Sequence, residues 1–179
     1  MTDLSLAARA GLPADLQVLL RDLPRADWPG HPQFAGLVQF WLDRHGMFRQ
    51  LLDLLQTDQR ALADRRIDPQ AYAPRLSRFG SMLLGELDGH HQIEDQHYFP
   101  RLARIDTRLQ RGFDLLDADH HAMDAALHDL AEGANAVLKG GPAGAFGDSL
   151  DAFARLLDRH LTDEEDLIVP VILRNGFRG

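Results

Sequence analysis

The chain contains no cysteine in 179 residues. That absence excludes disulfides, thiolate metal sites, iron–sulfur clusters and cysteine nucleophiles together, so any transition metal must sit on nitrogen and oxygen. No stretch approaches the roughly eighteen consecutive apolar residues of a membrane helix, and the N-terminus has no basic segment leading into an apolar one. Lys and Arg number 19 against 27 Asp and Glu, a net charge of −8, with the two signs interspersed. There is accordingly no basic stripe for a nucleic acid. These features predict a cytoplasmic protein without nucleic-acid or membrane partners. Strand-like alternation is also missing, and helical periodicity dominates.

What is present is a sequence written twice. LDGHHQIEDQHYFP ends at Pro100 and LDRHLTDEEDLIVP ends at Pro170. Without a gap, Leu87 aligns with Leu157, Asp88 with Asp158, His90 with His160, Glu94 with Glu164, Asp95 with Glu165 and Pro100 with Pro170. Each copy holds His-x-x-x-Glu. Side chains four apart on a helix share a face one turn from each other, so an imidazole and a carboxylate converge on one point. That is the geometry of a metal chelate.

The periodicity predicts an all-α, up-down-up-down antiparallel four-helix bundle. A short amphipathic segment over about 13–23 comes first, ended by Pro24, Pro29, Gly30 and Pro32. Long helices are expected over about 34–56, from about 70 to soon after Pro100, over about 107–138, and over about 145–173, with Gly176 as the last stop. A polar stretch over about 57–69 and the Gly/Pro-rich run at 139–144 serve as breaks. Residues 1–33 read as an N-terminal extension and 34–175 as the bundle, the extension being free to cap one end or to mediate a homodimer.

Two further histidines fall within apolar stripes. His45 ends an LDRH tetrapeptide, as His160 does, and His120 ends DADH; both have an apolar residue at +3 (Phe48, Met123) and leucine at +7 (Leu52, Leu127). The order is therefore His, His-x-x-x-Glu, His, His-x-x-x-Glu. At 1.5 Å per residue, His120 and the His160–Glu164 pair both lie roughly 25–30 Å from the break between their helices. His90 and Glu94 match His120 in depth about the preceding connection. Four imidazoles and two carboxylates at one level suit two first-row metal ions, with the glutamates bridging. Open coordination positions favour iron or manganese, and zinc accepts the same donors.

This doubled motif, His-x-x-x-Glu followed by an acidic residue and a Phe/Val-Pro pair, resembles the hemerythrin-like, or HHE cation-binding, family over about 34–173. The resemblance implies a non-heme di-iron centre ligated by His45, His90, Glu94, His120, His160 and Glu164. It also implies dioxygen or another small diatomic as ligand. The chain departs from the oxygen-carrying members at Asp124, where those have a second histidine one turn after the ligand of the third helix. It departs again at Glu165, where they have the aspartate, with Glu164 better placed here. The pattern is closer to relatives that sense iron or oxygen, or that handle iron.

Further residues are in reach of such a site. His91 directly succeeds a ligand, His97 lies one turn past Glu94, His121 competes with His120, and Asp124 is one turn beyond it. Tyr98, one turn after Glu94, and Trp41, one turn before His45, are placed either to line the cavity or to pack in the core. The expected functions are binding, sensing or storage of O₂, NO or iron. The alternatives are a di-iron enzyme acting on peroxide or NO, and a signalling module with a structural metal.

Overall fold

The computed structural model describes residues 3–179; residues 1 and 2 of the N-terminal extension lie outside them. The described residues are helical, with no strand among them. Short helix α1 (Val18–Asp22) is followed by long helices α2 (Leu37–Ala63) and α3 (Pro69–Ile93). A π-helical turn (Glu94–Tyr98) leads into α4 (Phe99–Ile105), and α5 (Gln110–Leu138) and α6 (Ala143–Asn175) complete the chain.

The boundaries have local causes. Asp68 caps α3 by accepting from the Ala71 amide at 2.7 Å, and Pro69 takes the first helical position, where no amide hydrogen is needed. Gly176 ends α6 at φ +62, a left-handed conformation that costs a glycine nothing, and its N–H returns to Ile172.

Two expected boundaries are corrected. The first long helix runs on to Ala63 through the polar stretch that was to break it, because Asp58 and Gln59 are buried there. Asp58 is held by Arg75, and Gln59 accepts from the Tyr72 hydroxyl and donates to the Ala143 carbonyl. Helical structure ends at Ile105, soon after Pro100 as expected, since that proline falls in the first turn of α4 after the π-turn. The N-terminal amphipathic segment is helical only over α1, although Leu16 and Leu19 are buried as its stripe requires.

Each long helix has two long neighbours. α2 packs on α3 and α6, and α5 packs on the same two, closing a ring. Side-chain contacts run antiparallel along α2 and α6, from Arg49 with Asp158 to Gln56 with Asp151. They do so along α5 and α6 as well, from Gly112 near Leu167 to Gly133 near Phe146.

The apolar core is not continuous. One cluster holds Trp28, Val38, Trp41, Phe99, Leu102, Phe113, Leu116 and the Leu167–Leu173 end of α6. The other holds Phe48, Leu52, Leu83, Leu87, Met123, Phe153, Leu157 and Leu161. On α2, α5 and α6 alike, the histidine or glutamate of the motif falls at the change from one cluster to the other. A buried polar layer therefore crosses the bundle at mid-height.

Candidate metal centre

The polar layer is built from both copies of the repeat and both lone histidines. His45, His90, Glu94 and Glu164 each direct a ligand atom to one place, with these atoms all within 4.8 Å of one another; His91, His120 and His160 do the same beside it. His45, His160 and Glu164 are fully buried, and Glu94, His91 and His120 nearly so. The structure thus gathers all six residues of the expected set, and adds His91.

Distances within the layer are compatible with ligation of a common ion. His45 Nε2 lies 3.1 Å from His90 Nε2, and His120 Nε2 lies 3.1 Å from His160 Nε2. Two imidazole nitrogens bound at about 2.1 Å and near right angles to a common ion are separated by about 3.0 Å. Each glutamate spans both groups. Glu94 has Oε1 at 2.9 Å from His90 and Oε2 at 3.5 Å from His120; Glu164 has Oε1 at 3.5 Å from His45 and Oε2 at 3.4 Å from His160.

Several of these atoms have no hydrogen-bond partner: both nitrogens of His91, both oxygens of Glu94, and Glu164 Oε2. Burying such groups unpaired is unfavourable, and a cation is what this donor set lacks. The residues present fit two N/O-ligated metal ions.

The opposite ring nitrogens are fixed by carboxylates. His45 Nδ1 is 3.0 Å from Glu165, His120 Nδ1 is 2.7 Å from Asp95, and His160 Nδ1 is 3.2 Å from Asp119. An ionised carboxylate only accepts, so Nδ1 carries a hydrogen and, in the neutral ring, Nε2 presents its lone pair to the layer. Glu165 is held in turn by Arg49 and Arg25, each at 2.7 Å. Trp41 donates its indole N–H to Glu164, so its ring packs in the core while its polar edge steadies that buried carboxylate.

The electrostatics arise from burial and from this pairing. Burial pushes Glu94 well above the usual carboxylate range, and the facing Glu164 adds to it. Burial acts on Glu164 too, but His45 and His160 outweigh it and hold it well below that range. His45 and His160 are raised despite burial by their carboxylate partners. Burial lowers His90 to about 3 and lowers His91 further, with neighbouring imidazoles contributing. Burial also works against charge on Glu165, yet His45, Arg49 and Arg25 bring it down to about 2.

The repeat predicts a symmetric site, but the two halves differ in access. The residue before His120 is Asp119, the acceptor for His160; the residue before His45 is Arg44, which pairs with Glu86 at 2.6 Å instead. On that side a cavity of 390 Å³ opens, lined by Trp41, Gly85, Gly89, His90, Glu94 and Tyr98, with exposed Phe40 and Ile93 at its rim. His91 closes the other half, stacked on His120 with ring centroids 4.0 Å apart.

A family model, the hemerythrin HHE cation binding domain, matches residues 36–172. The chain belongs to the hemerythrin HHE cation-binding domain family. Searches of curated proteins and of solved structures find no match to it.

Within this HHE domain, three residues considered as extra ligands lie outside the layer. His97 and Asp124 are exposed, and His121 is exposed with its Nδ1 on the Asp117 carbonyl. The π-turn gives the physical reason for His97. A gapless comparison puts it level with buried Leu167, but the wider turn rotates the residues after Glu94 relative to their counterparts in the second copy. Tyr98 is half-buried on the cavity wall, in edge contact with Trp41.

Sequence reasoning missed Arg9, Arg25, Arg49 and Asp119. No signal marks the arginines, because their partners are far along the chain. Asp95 and Glu165 were visible as a matched pair in the repeat, without a role attached.

Proposed function

We propose that this protein holds two iron ions within an up-down-up-down bundle and uses an open coordination position for dioxygen, nitric oxide or iron itself, in sensing or storage. The observation that carries the reading is the bridging placement of Glu94 and Glu164, each offering one oxygen to each histidine group. His45 and His90 would hold one ion beside the cavity, and His91, His120 and His160 the other. Bridged iron supplies reversible one-electron chemistry and affinity for diatomic ligands. The chain's own contribution is to fix the imidazoles through Nδ1, keep bulk water from the enclosed half, and leave the His90 side reachable. Manganese or zinc accepts the same donors.

Elemental analysis with visible spectra tests the reading. Two irons per chain are expected, and reduction followed by O₂ or NO should give a new absorption that reverses when the gas is removed. A single zinc, or no metal in protein purified from metal-replete cells, would overturn it.

A second reading, an enzyme that turns over peroxide or NO, is favoured by one observation. The cavity of 390 Å³ is many times the roughly 30 Å³ of a water-sized molecule, and the protonatable Tyr98 lines it. Turnover of hydrogen peroxide or NO that vanishes in His160→Ala supports this reading, and no turnover of either removes it.

A further inference from the structure

The family match begins at residue 36, yet the chain before that point reaches the support of the polar layer. Leu6 packs in one apolar cluster and Leu12 in the other, so the segment between them crosses the layer at its own level. Arg9 lies there, only 7% exposed. Its Nη1 donates to Asp119 Oδ1 at 2.6 Å, Nη2 donates to Asp119 Oδ2, and Nε donates to Asp163 Oδ2 at 2.7 Å. The other Asp163 oxygen takes Arg159. Such a two-pronged fork fixes the plane of a carboxylate as well as its charge.

Asp119 Oδ2 also accepts from His160 Nδ1. One oxygen is therefore shared between a guanidinium of the N-terminal segment and a candidate ligand. Guanidinium bonding draws charge from that oxygen and fixes its position, and both affect how the imidazole beyond it binds a cation. The place equivalent to Asp119 on the cavity side is taken by Arg44, and there the shared carboxylate oxygen is Glu165 Oε1, which accepts from both His45 Nδ1 and Arg49. Arg25 acts on Glu165, the acceptor of His45, but shares the task with Arg49.

We propose that the N-terminal segment is a working part of the metal centre, Arg9 acting as a positioning residue that aligns His160 through Asp119 and sets how tightly the enclosed half holds its ion. The proposal rests on the two-metal reading above. It predicts asymmetry: loss of Arg9 weakens one of two bound equivalents, while loss of Arg25 alone has a smaller effect because Arg49 remains.

The test is anaerobic Fe²⁺ titration of the full chain against a competing chelator, for the wild type, Arg9→Ala, Arg9→Lys, Arg25→Ala and the exposed-pair control Arg108→Ala. Metal-free melting is recorded for each. Arg9→Ala should lower the affinity of one equivalent by about 10–100-fold and leave the other within about twofold, the usual range for outer support of a metal ligand. Arg9→Lys should fall in between, since an ammonium keeps the charge and loses the fork. Equal affinities in all variants, with only the metal-free melting temperature lowered, would mean a structural arginine and overturn the proposal. Should Arg9→Ala not fold, wild-type affinity in Arg9→Lys has the same force. A wild type that binds no pair of ions overturns the two-metal reading and this proposal with it.

Discussion

Asp95 accepts a hydrogen bond from His120 Nδ1 at 2.7 Å. Glu165 stands in the same relation to His45 at 3.0 Å. Both acidic residues come directly after the glutamate of a His-x-x-x-Glu motif, so each copy of the repeat supplies a chelating pair and also orients the lone histidine of an adjacent helix. Neighbouring elements of the ring depend on one another for the direction of their donors.

The two buried glutamates should respond unequally to neutralisation in the metal-free protein. Glu94 is already pushed toward its neutral form by burial and by Glu164, so Glu94→Gln should change metal-free stability little. Glu164 is ionised and paired with His45 and His160, and Glu164→Gln should destabilise by about 3 kcal/mol, the penalty for breaking a buried pair. Both variants should lose metal. Thermal melts in chelator and metal content measure the two effects separately.

His91→Leu tests the enclosed half. The second copy carries buried Leu161 at this position, so a leucine is compatible with the local packing, and it removes two buried nitrogens that lack partners. Metal-free stability should rise by about 1–3 kcal/mol, while affinity for one ion of the pair falls by about tenfold or more. Denaturant melts with and without metal read both; a variant that retains both ions at full affinity would show that His91 is no ligand.

Stability of the metal-free protein should peak near pH 6.5. His90 takes up a proton at about 3 when folded, against 6.5 ordinarily; the unfolded chain therefore binds more protons between those values, and stability falls as the pH drops through that window. Glu165, lowered to about 2 from 4.5, adds a loss as the pH falls from 4.5 toward 2. His45 and His160 are raised instead, so their contribution is full below 6.5 and lost as the pH rises through their folded values. Metal reverses the alkaline side, because ligation needs neutral imidazoles and releases roughly one to three protons on binding. Melting temperature against pH, in chelator and in excess metal, should give a peak in the first case and a continued rise in the second.

Access runs past α3. A Cβ added at Gly85 or Gly89 would meet nothing within 4 Å, so Gly89→Leu should fold, helped by up to about 1 kcal/mol of helix propensity. Its side chain would then stand in the passage to His90. Association of NO with the reduced protein should slow at least about tenfold, equal to about 1.4 kcal/mol of added barrier, with metal content unchanged. Stopped-flow rates equal to wild type would place the entry route elsewhere.

Much of the molecule is legible in the sequence because its signals are local. The doubled motif, the apolar stripes around His45 and His120, and the Gly/Pro-rich break at 139–144 are all read within one or two helical turns. The contacts that escape are long-range and polar: Arg9 with Asp119 and Asp163, Arg25 with Glu165 and Asp166, Gln59 with Ala143. Nothing in the residues near Arg9 announces a partner 110 positions on. The π-turn escapes for another reason. Its letters align without a gap to a regular stretch of α6, and the difference lies in the winding of the backbone. His97 matches Leu167 in register and departs from it in direction.

The glycines at 85 and 89 give the passage to His90 an unusual property for an entry route. On the α3 side it is bounded at two positions by bare backbone, whereas Phe40, Trp41, Arg44 and Tyr98 bring side chains to the other walls. On the proposed two-metal reading, any gating of a small ligand would therefore fall to those side chains and not to the α3 glycines.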